Sequence, residues 1–235
     1  MGDAIAILLA AGSGARMGRA LPKALLPIAG RTVLARSLDI LLSCGQFSRI
    51  IVAVPNSFIV GEHAAAFSSL ALPPMVTVVQ GGTTRALSVR SGLAVLDSSC
   101  LPKTLVAVHD AARCMVSVDL ITRVIESARR AGAATAAVPC FDTIVQSGPD
   151  QTISQTLDRS KLWAVQTPQV FELELLRDAH RDGNKDATDD ATLVHRFHPV
   201  EIVPGDRHNL KITTVEDLAW AEKILSAQLD VETTS

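Results

Sequence analysis

Three cations, Arg16, Arg19 and Lys23, follow the apolar run Ala4 to Ala10 in a stretch otherwise made mostly of small residues, Ala11-Gly12-Ser13-Gly14-Ala15-Arg16-Met17-Gly18. Glycine has no Cβ, so backbone N–H groups in such a loop can approach an anion closely, and the cations add full charges where phosphates would lie. The combination predicts a nucleotide triphosphate site. Two further polar clusters follow apolar runs in the same way: Gly81-Gly82 after Val76 to Val79, and His109-Asp110-Ala111-Ala112-Arg113 after Leu105 to Val108.

The loop does not fit the commoner phosphate motifs. A Walker loop starting at Gly12 needs a second glycine where Met17 stands and a Lys-Ser or Lys-Thr pair after it, and the dinucleotide fingerprint fails at the same Met17. A dinucleotide oxidoreductase is therefore disfavoured. Taken alone, the loop would also fit a plain strand-to-helix turn with exposed cations.

The 235 residues suffice for one well-buried core, and α/β domains of this length stay undivided, so one domain spanning 1–235 is expected. A net charge of −2 argues against a broad basic surface, and with 3% aromatic residues and no tyrosine there is no stacking platform for single strands. A nucleic-acid partner is not expected; any anion site must be local. Cys44, Cys100, Cys114 and Cys140 form no C-x-x-C pair and read as small buried filler in a reducing compartment, with Cys114, beside a charged loop, expected to be accessible. The apolar start is too short for a secretory leader or a membrane span, which predicts a cytoplasmic protein with no membrane association.

The elements that must position these clusters alternate. Ala4 to Ala10 reads as a strand buried on both faces; Thr32 caps a helix with Val33, Leu34, Ser37, Leu38 and Leu41 on one face; Ile50 to Val54 and Val76 to Val79 are further strands with an Ala-rich helix between them. Thr83 or Thr84 opens a helix through Val89, Leu93 and Leu96. Leu105 to Val108 is a fourth strand, and Ser117 caps a helix carrying Leu120, Ile121, Val124, Ile125 and Ala128 that ends at Gly132. Such alternation predicts a mostly parallel twisted sheet with helices on both faces, whose ligands gather at the strand carboxyl ends. The glycine loop, Gly81-Gly82 and His109 to Arg113 all lie at such ends and can share one crevice.

Residues 140–170 break this rhythm. Asp142 to Ser147 and Thr152 to Leu157 alternate around Gly148-Pro149-Asp150, the pattern of a β-hairpin. A two-stranded arm is marginal in isolation, and a second subunit is the economical surface for it to pack on. Beyond it the chain returns to α/β character: a helix from about Glu172, a polar turn Asp186 to Asp190 opening another helix, a strand near Val200 to Val203, and a closing helix with a Thr213/Glu216 capping box, the apolar face Leu218, Ala221, Ile224 and Leu225, and a frayed tail from Val231.

Ordered blocks over nearly the whole chain resemble one family. They are Ala10 to Gly18 with Pro22-Lys23; Gly81-Gly82-x-x-Arg85-x-x-Ser88-Val89; His109 to Arg113; Asp142-Thr143; Asp158-Arg159-x-x-Leu162-Trp163-x-x-Gln166-Thr167-Pro168-Gln169; Thr188-Asp189-Asp190; and Asn209-Leu210-Lys211-Ile212-Thr213. Together they are similar to the 2-C-methyl-D-erythritol 4-phosphate cytidylyltransferases of the non-mevalonate isoprenoid pathway. The resemblance implies a Rossmann-like nucleotidyltransferase domain with a protruding β-hairpin arm, and attack by the acceptor phosphate on the α-phosphorus of CTP with release of pyrophosphate. It implies Arg16, Lys23 and Lys211 as catalytic cations; Ala10, Ala11, Gly12, Gly14, Gly82, Ser88 and Asp110 on CTP; and Asp110, Arg113, Thr188 and Lys211 on the acceptor. Thr143 and Arg159, on the arm within 140–170, would reach the acceptor phosphate of a neighbouring subunit in a homodimer. Mg²⁺ or another divalent cation would be held mainly by the CTP phosphates, with no protein metal cluster.

Two positions depart from the family pattern: Cys114 stands where many relatives have proline, and Thr83 where some have aspartate. The alternatives are a ribitol 5-phosphate cytidylyltransferase, whose blocks around His109 and Asp158 match less well, and a non-catalytic CTP-binding regulatory protein, which would be expected to lack Arg16, Lys23 or Lys211.

Overall fold

A computed structural model describes residues 2–12, 21–97, 100–181 and 187–232. Its frame is a seven-stranded sheet. The first strand, β1 (Ala4–Leu9), lies in its interior, paired in parallel with β4 (Phe47–Val54) on one side and with the central strand β6 (Leu105–Asp110) on the other. Outside β4 lies β5 (Val76–Gln80); outside β6 come β10 (Trp163–Glu172), β7 (Ala133–Pro139) and β11 (Glu201–Pro204), giving the order β11-β7-β10-β6-β1-β4-β5. Every pairing is parallel except the two made by β10. The sheet is thus mostly parallel, as the alternation predicts. The small pairs β2 (Pro27–Ile28) with β3 (Arg31–Thr32) and β8 (Val145–Ser147) with β9 (Ile153–Thr156) stand apart from it.

Strand alternation sends side chains to two cores. Ala4, Ala6 and Leu8 of β1 join α1 (Val33–Ser43), α5 (Val118–Ala131) and the short α2 (Asn56–Val60) and α3 (Ala64–Ser68) on one face. On the other, Ile5 and Ile7 meet α4 (Arg85–Ala94), α6 (Leu173–Arg181) and α7 (Asp190–Val194). The predicted caps at Thr32 and Ser117 accept from Ala35 and Leu120 N–H, and Thr84 rather than Thr83 caps α4. α5 ends at Gly132, whose φ of 82° lies in the left-handed region that glycine adopts without strain.

Several expectations need correction. The Ala-rich segment is two short helices, because the chain turns extended at Gly61 between them. The closing helix, α8 (Val215–Glu232), is boxed by Thr214 and Asp217, not Thr213 and Glu216: Asp217 N donates to Thr214 Oγ1 and Thr214 N to Asp217 Oδ2. It continues through Val231 and Glu232, where fraying was expected. Cys114 is buried, because the loop after β6 turns it into a third core formed with Leu26, Ile212 and α8, and burial pushes its thiol up to about 11. β7 and β10 are strands that the apolar pattern of the sequence does not predict. Among the described residues no helix is long and apolar enough to cross a membrane.

The hairpin is present, although shorter than its sequence pattern. Every residue of β8 and β9 is exposed, and among the described residues the two strands pair only with each other.

Candidate active site

At the carboxyl edge of the sheet, backbone hydrogen bonds continue past the strand ends and bring three loops side by side. Ala10 N donates to Ala53 O, Gly81 N to Val54 O, and Ala111 N to Leu9 O, at 2.8, 2.8 and 3.0 Å. The approach is close enough that a Cβ on Gly81 would lie 2.4 Å from that of Ala11. Ser88, in the first turns of α4, accepts from Gly82 N at 3.1 Å and donates to Thr84 O at 3.0 Å, tying the glycine pair to the helix. These loops open onto a cavity of about 550 Å³. Leu9 to Gly12, Gly82 to Arg85 with Ser88, and Asp110 to Ala112 line it, and Lys23, Ala24, Val33, Lys211 and Thr213 complete the wall.

Lys23 and Lys211 reach this cavity from opposite ends of the chain because the third core holds their backbones together. Leu26, Ile28 and Val33 from the segment after Lys23 pack with Ile212, Leu218, Ala221 and Leu225, and Ile212 N donates to Ala112 O. The turn after Lys23 is pinned from both sides: Glu222 on α8 accepts from Ala29 N at 2.9 Å, and Arg36 on α1 donates to the carbonyls of Ile28 and Ala29. Lys23 Nζ donates to Ile212 O at 2.9 Å, and Lys211 Nζ lies 2.7 Å from Asp110 Oδ2.

Asp110 ends β6 with both carboxylate oxygens engaged. Oδ2 meets Lys211 and Oδ1 meets Arg85 Nε at 3.3 Å, while its N–H donates to Thr167 Oγ1. Burial would raise its pKa, but Arg85 and Lys211 outweigh burial and hold the carboxyl well below the usual range, so it is ionised throughout the physiological window. The preceding His109 is fully buried. Desolvation pulls it down to about 4, Arg113 and Arg85 reinforcing burial against the Asp110 carboxylate. Its partners, the Thr167 hydroxyl on Nδ1 and Arg113 O near Nε2, suit a neutral ring protonated on Nε2. It is not among the residues that line the cavity, and its contacts to Thr167 and Arg113 serve the loop.

Of the residues singled out in the sequence, Ala10, Ala11, Gly12, Lys23, Gly82, Ser88, Asp110 and Lys211 meet at one cavity. Gly14 and Arg16 lie outside the described residues. The other four are not among the lining residues. Arg113 donates to Asn209 O at 2.8 Å, bracing the segment that carries Lys211; Thr143 and Arg159 are exposed on the arm, Arg159 donating to Phe141 O; and Thr188 is exposed just before α7, which Asp189 caps. Reading the sequence for chemistry passed over Arg85, Asp190 and His180. Arg85 lines the cavity and bonds Asp190 Oδ2 at 2.6 Å, and His180 bonds Asp190 Oδ1 at 2.7 Å. Two of them stand inside the quoted blocks, but spacing along the chain gives no sign that they pair. Among the described residues no three His, Cys, Asp or Glu side chains come together in a way that could hold a metal ion.

A family model described as IspD, 2-C-methyl-D-erythritol 4-phosphate cytidylyltransferase, matches residues 4–227. The enzyme of that name from Syntrophus aciditrophicus (strain SB) is 39% identical over 230 residues, covering 95% of this chain and 96% of its own. Among solved structures, the 4-diphosphocytidyl-2C-methyl-D-erythritol synthase of Anaerococcus prevotii DSM 20548 superposes with a TM-score of 0.80 at 29% identity, covering 96% of this chain and 99% of that one. The 2-C-methyl-D-erythritol 4-phosphate cytidylyltransferase of Thermus thermophilus gives 0.74 at 34% identity, over 95% and 98%. With its blocks in order over the matched length and its two lysines gathered at one cavity, this chain belongs to the 2-C-methyl-D-erythritol 4-phosphate cytidylyltransferase family.

Proposed function

We infer that the chain transfers the cytidylyl group of CTP to 2-C-methyl-D-erythritol 4-phosphate, releasing pyrophosphate, as a step of isoprenoid biosynthesis. The observation that carries this reading is the meeting of Lys23, Lys211 and Asp110 at one cavity beside a glycine-bearing loop. A phosphomonoester is largely dianionic near pH 7, its second pKa being about 6, so the acceptor needs no general base. The protein's task is to hold two mutually repelling anions in line and to balance the charge that builds on the α-phosphoryl oxygens. Lys23 and Arg16 take the triphosphate, and Lys211 takes the α-phosphate and the incoming acceptor phosphate. Ala10, Ala11, Gly12, Gly14, Gly82 and Ser88 frame the cytidine and its phosphates, and Asp110 meets the ribose and the sugar alcohol.

A divalent cation fits this donor set as cargo of the triphosphate. Among the described residues that line the cavity Asp110 is the only carboxylate, and it is already shared by two cations; magnesium characteristically binds through substrate phosphates and few protein ligands. When bound, it would neutralise charge on the phosphates.

The arm supports a homodimer and, with a CTP-dependent reaction, a cytoplasmic setting. Phe141, Val145, Ile153, Trp163 and Val165 leave apolar surface exposed around it. A second copy covering that surface would bring Thr143, Arg159 and the acceptor phosphate together across the interface, with Arg113 and Thr188 on the acceptor side of the same site.

The test is pyrophosphate release with CTP and each of two acceptors, methylerythritol phosphate and ribitol 5-phosphate. Release with the first and little with the second is expected; faster release with ribitol 5-phosphate would assign the other substrate, and release with neither would leave a nucleotide-binding role.

A further inference from the structure

Behind the cavity wall runs a line of five side chains in which each carboxylate is shared between two partners. Lys211 Nζ lies 2.7 Å from Asp110 Oδ2, Arg85 Nε 3.3 Å from Asp110 Oδ1, Arg85 Nη1 2.6 Å from Asp190 Oδ2, and His180 Nε2 2.7 Å from Asp190 Oδ1. The line begins at the cavity and ends in the core beneath α6 and α7, where Asp190 and His180 are buried and line no part of the cavity. Asp190 is fixed by its backbone as well, since its N–H and that of Ala191 donate to Gln169 Oε1 at 3.0 and 3.1 Å.

Burying a charged aspartate is costly, and an apolar pair would fill the same space at no electrostatic penalty. What Asp190 balances is Arg85. Arg85 Nη2 is buried and has no partner among the described residues, so the guanidinium is oriented by two carboxylates alone, Asp190 behind it and Asp110 in front. A carboxylate with one cation closes on it; a carboxylate with two holds each less tightly. Since Arg85 is also claimed by Asp190, the strength of the Asp110 grip on Lys211 is set from behind the wall.

We propose that Asp190, held by His180, positions Arg85 so that Arg85 and Lys211 divide the Asp110 carboxylate, and that this division leaves Lys211 available to substrate phosphate. The proposal rests on the assignment of Lys211 to phosphate made above. It requires opposite responses to two substitutions. In Arg85→Gln, Asp110 closes on Lys211; in Asp190→Asn, Arg85 turns its full charge on Asp110 and Lys211 is loosened.

The readout is trace acetylation of the substrate-free protein with acetic anhydride, mass spectrometry giving the rate at Lys211 relative to the exposed Lys223. Relative labelling of Lys211 should fall about threefold in Arg85→Gln and rise about threefold in Asp190→Asn, the scale of one unit charge changed near a partly solvated amine. Where Arg85→Gln does not fold, Arg85→Lys carries the test, because one ammonium cannot span both carboxylates and Lys211 again labels more slowly. In transfer assays kcat/KM for CTP should fall in Arg85→Gln and recover in part in Arg85→Lys. Shifts of the same sign in both variants, as general loosening of the site would give, or no shift in either, would overturn the proposal. Labelling is read without substrate, so opposed shifts in a protein without transfer activity would refute the reaction and keep the positioning, and the reverse result would do the opposite.

Discussion

His109 sits between the sheet and the site loop with its pKa depressed from 6.5 to about 4, and this makes part of the protein's stability pH-dependent in a definite direction. The unfolded chain takes up a proton at this residue near pH 6.5, and the folded chain takes it up only near pH 4. Between these values the unfolded state binds more protons, so stability is complete above pH 6.5 and falls as the pH drops toward 4. The full shift corresponds to about 3 kcal/mol, of which about 2 kcal/mol is lost by pH 5. Asp110 and Asp190 have depressed pKa values and contribute at lower pH, their stabilisation being lost as pH falls below the ordinary carboxylate range. The perturbation is His109→Gln, whose amide can keep the bond to Arg113 O but does not titrate. Urea unfolding at pH 8, 7, 6 and 5 measures both proteins. At an m of about 3 kcal/mol/M the wild-type midpoint should fall about 0.7 M further than that of the variant between pH 8 and pH 5. The variant, having lost the Thr167 bond, should start lower by about 1 kcal/mol at pH 8. Parallel pH profiles would refute the reasoning, because they would mean that His109 titrates alike in the folded and unfolded chains.

Three other outcomes are expected. Since both side chains serve charge that grows in the transition state, Lys211→Ala and Lys23→Ala should each lower kcat by about 10² to 10³ with the fold retained by circular dichroism, Lys211→Ala also unfolding somewhat earlier because Asp110 loses one of its two cations; near-normal turnover in either would contradict its role. Mixing Lys23→Ala subunits with Arg159→Ala subunits should restore up to about a quarter of wild-type activity, because random exchange makes half the dimers mixed and one site in each of those is intact; no recovery after verified exchange would place Arg159 outside the partner's site. Gly132→Ala should cost about 1 to 2 kcal/mol in chemical unfolding, as the residue adopts a φ of 82° and its new Cβ would lie 3.1 Å from His198 Nε2, and an unchanged midpoint would refute the left-handed cap.

Most of the fold was legible because its strands carry large apolar residues and its helices carry side-chain caps. β1, β4, β5 and β6 announce themselves as Ile-, Leu- and Val-rich runs that end in polar loops, and Thr32 and Ser117 cap as their positions imply. β7 was not legible because Ala133 to Ala137 is four alanines and one threonine, a composition that suits helix as well as strand. Here small residues are what a strand needs when α5 packs over it and β10 and β11 flank it. β10 was hidden by Gln166, Thr167 and Gln169, polar residues that read as loop. All three are buried and satisfied by chain ends they organise: Gln166 Nε2 donates to Asp206 O, the Thr167 hydroxyl accepts from Asp110 N, and Gln169 Oε1 accepts from the first turn of α7. At the site, loops that follow strands were legible from the topology rule, whereas the Arg85–Asp190 pair, 105 residues apart in the chain, has no signature before folding.

The central claim, that Lys23 and Lys211 converge on one triphosphate in this cavity, is tested most directly by a crystal structure with a non-hydrolysable CTP analogue and Mg²⁺. The expected result is an α-phosphate within hydrogen-bonding reach of both lysine Nζ atoms, with Lys211 drawn from Asp110 and cytosine beside Gly82 and Ser88. An analogue bound away from this cavity, or bound in it with either lysine turned from the phosphates, would contradict the claim.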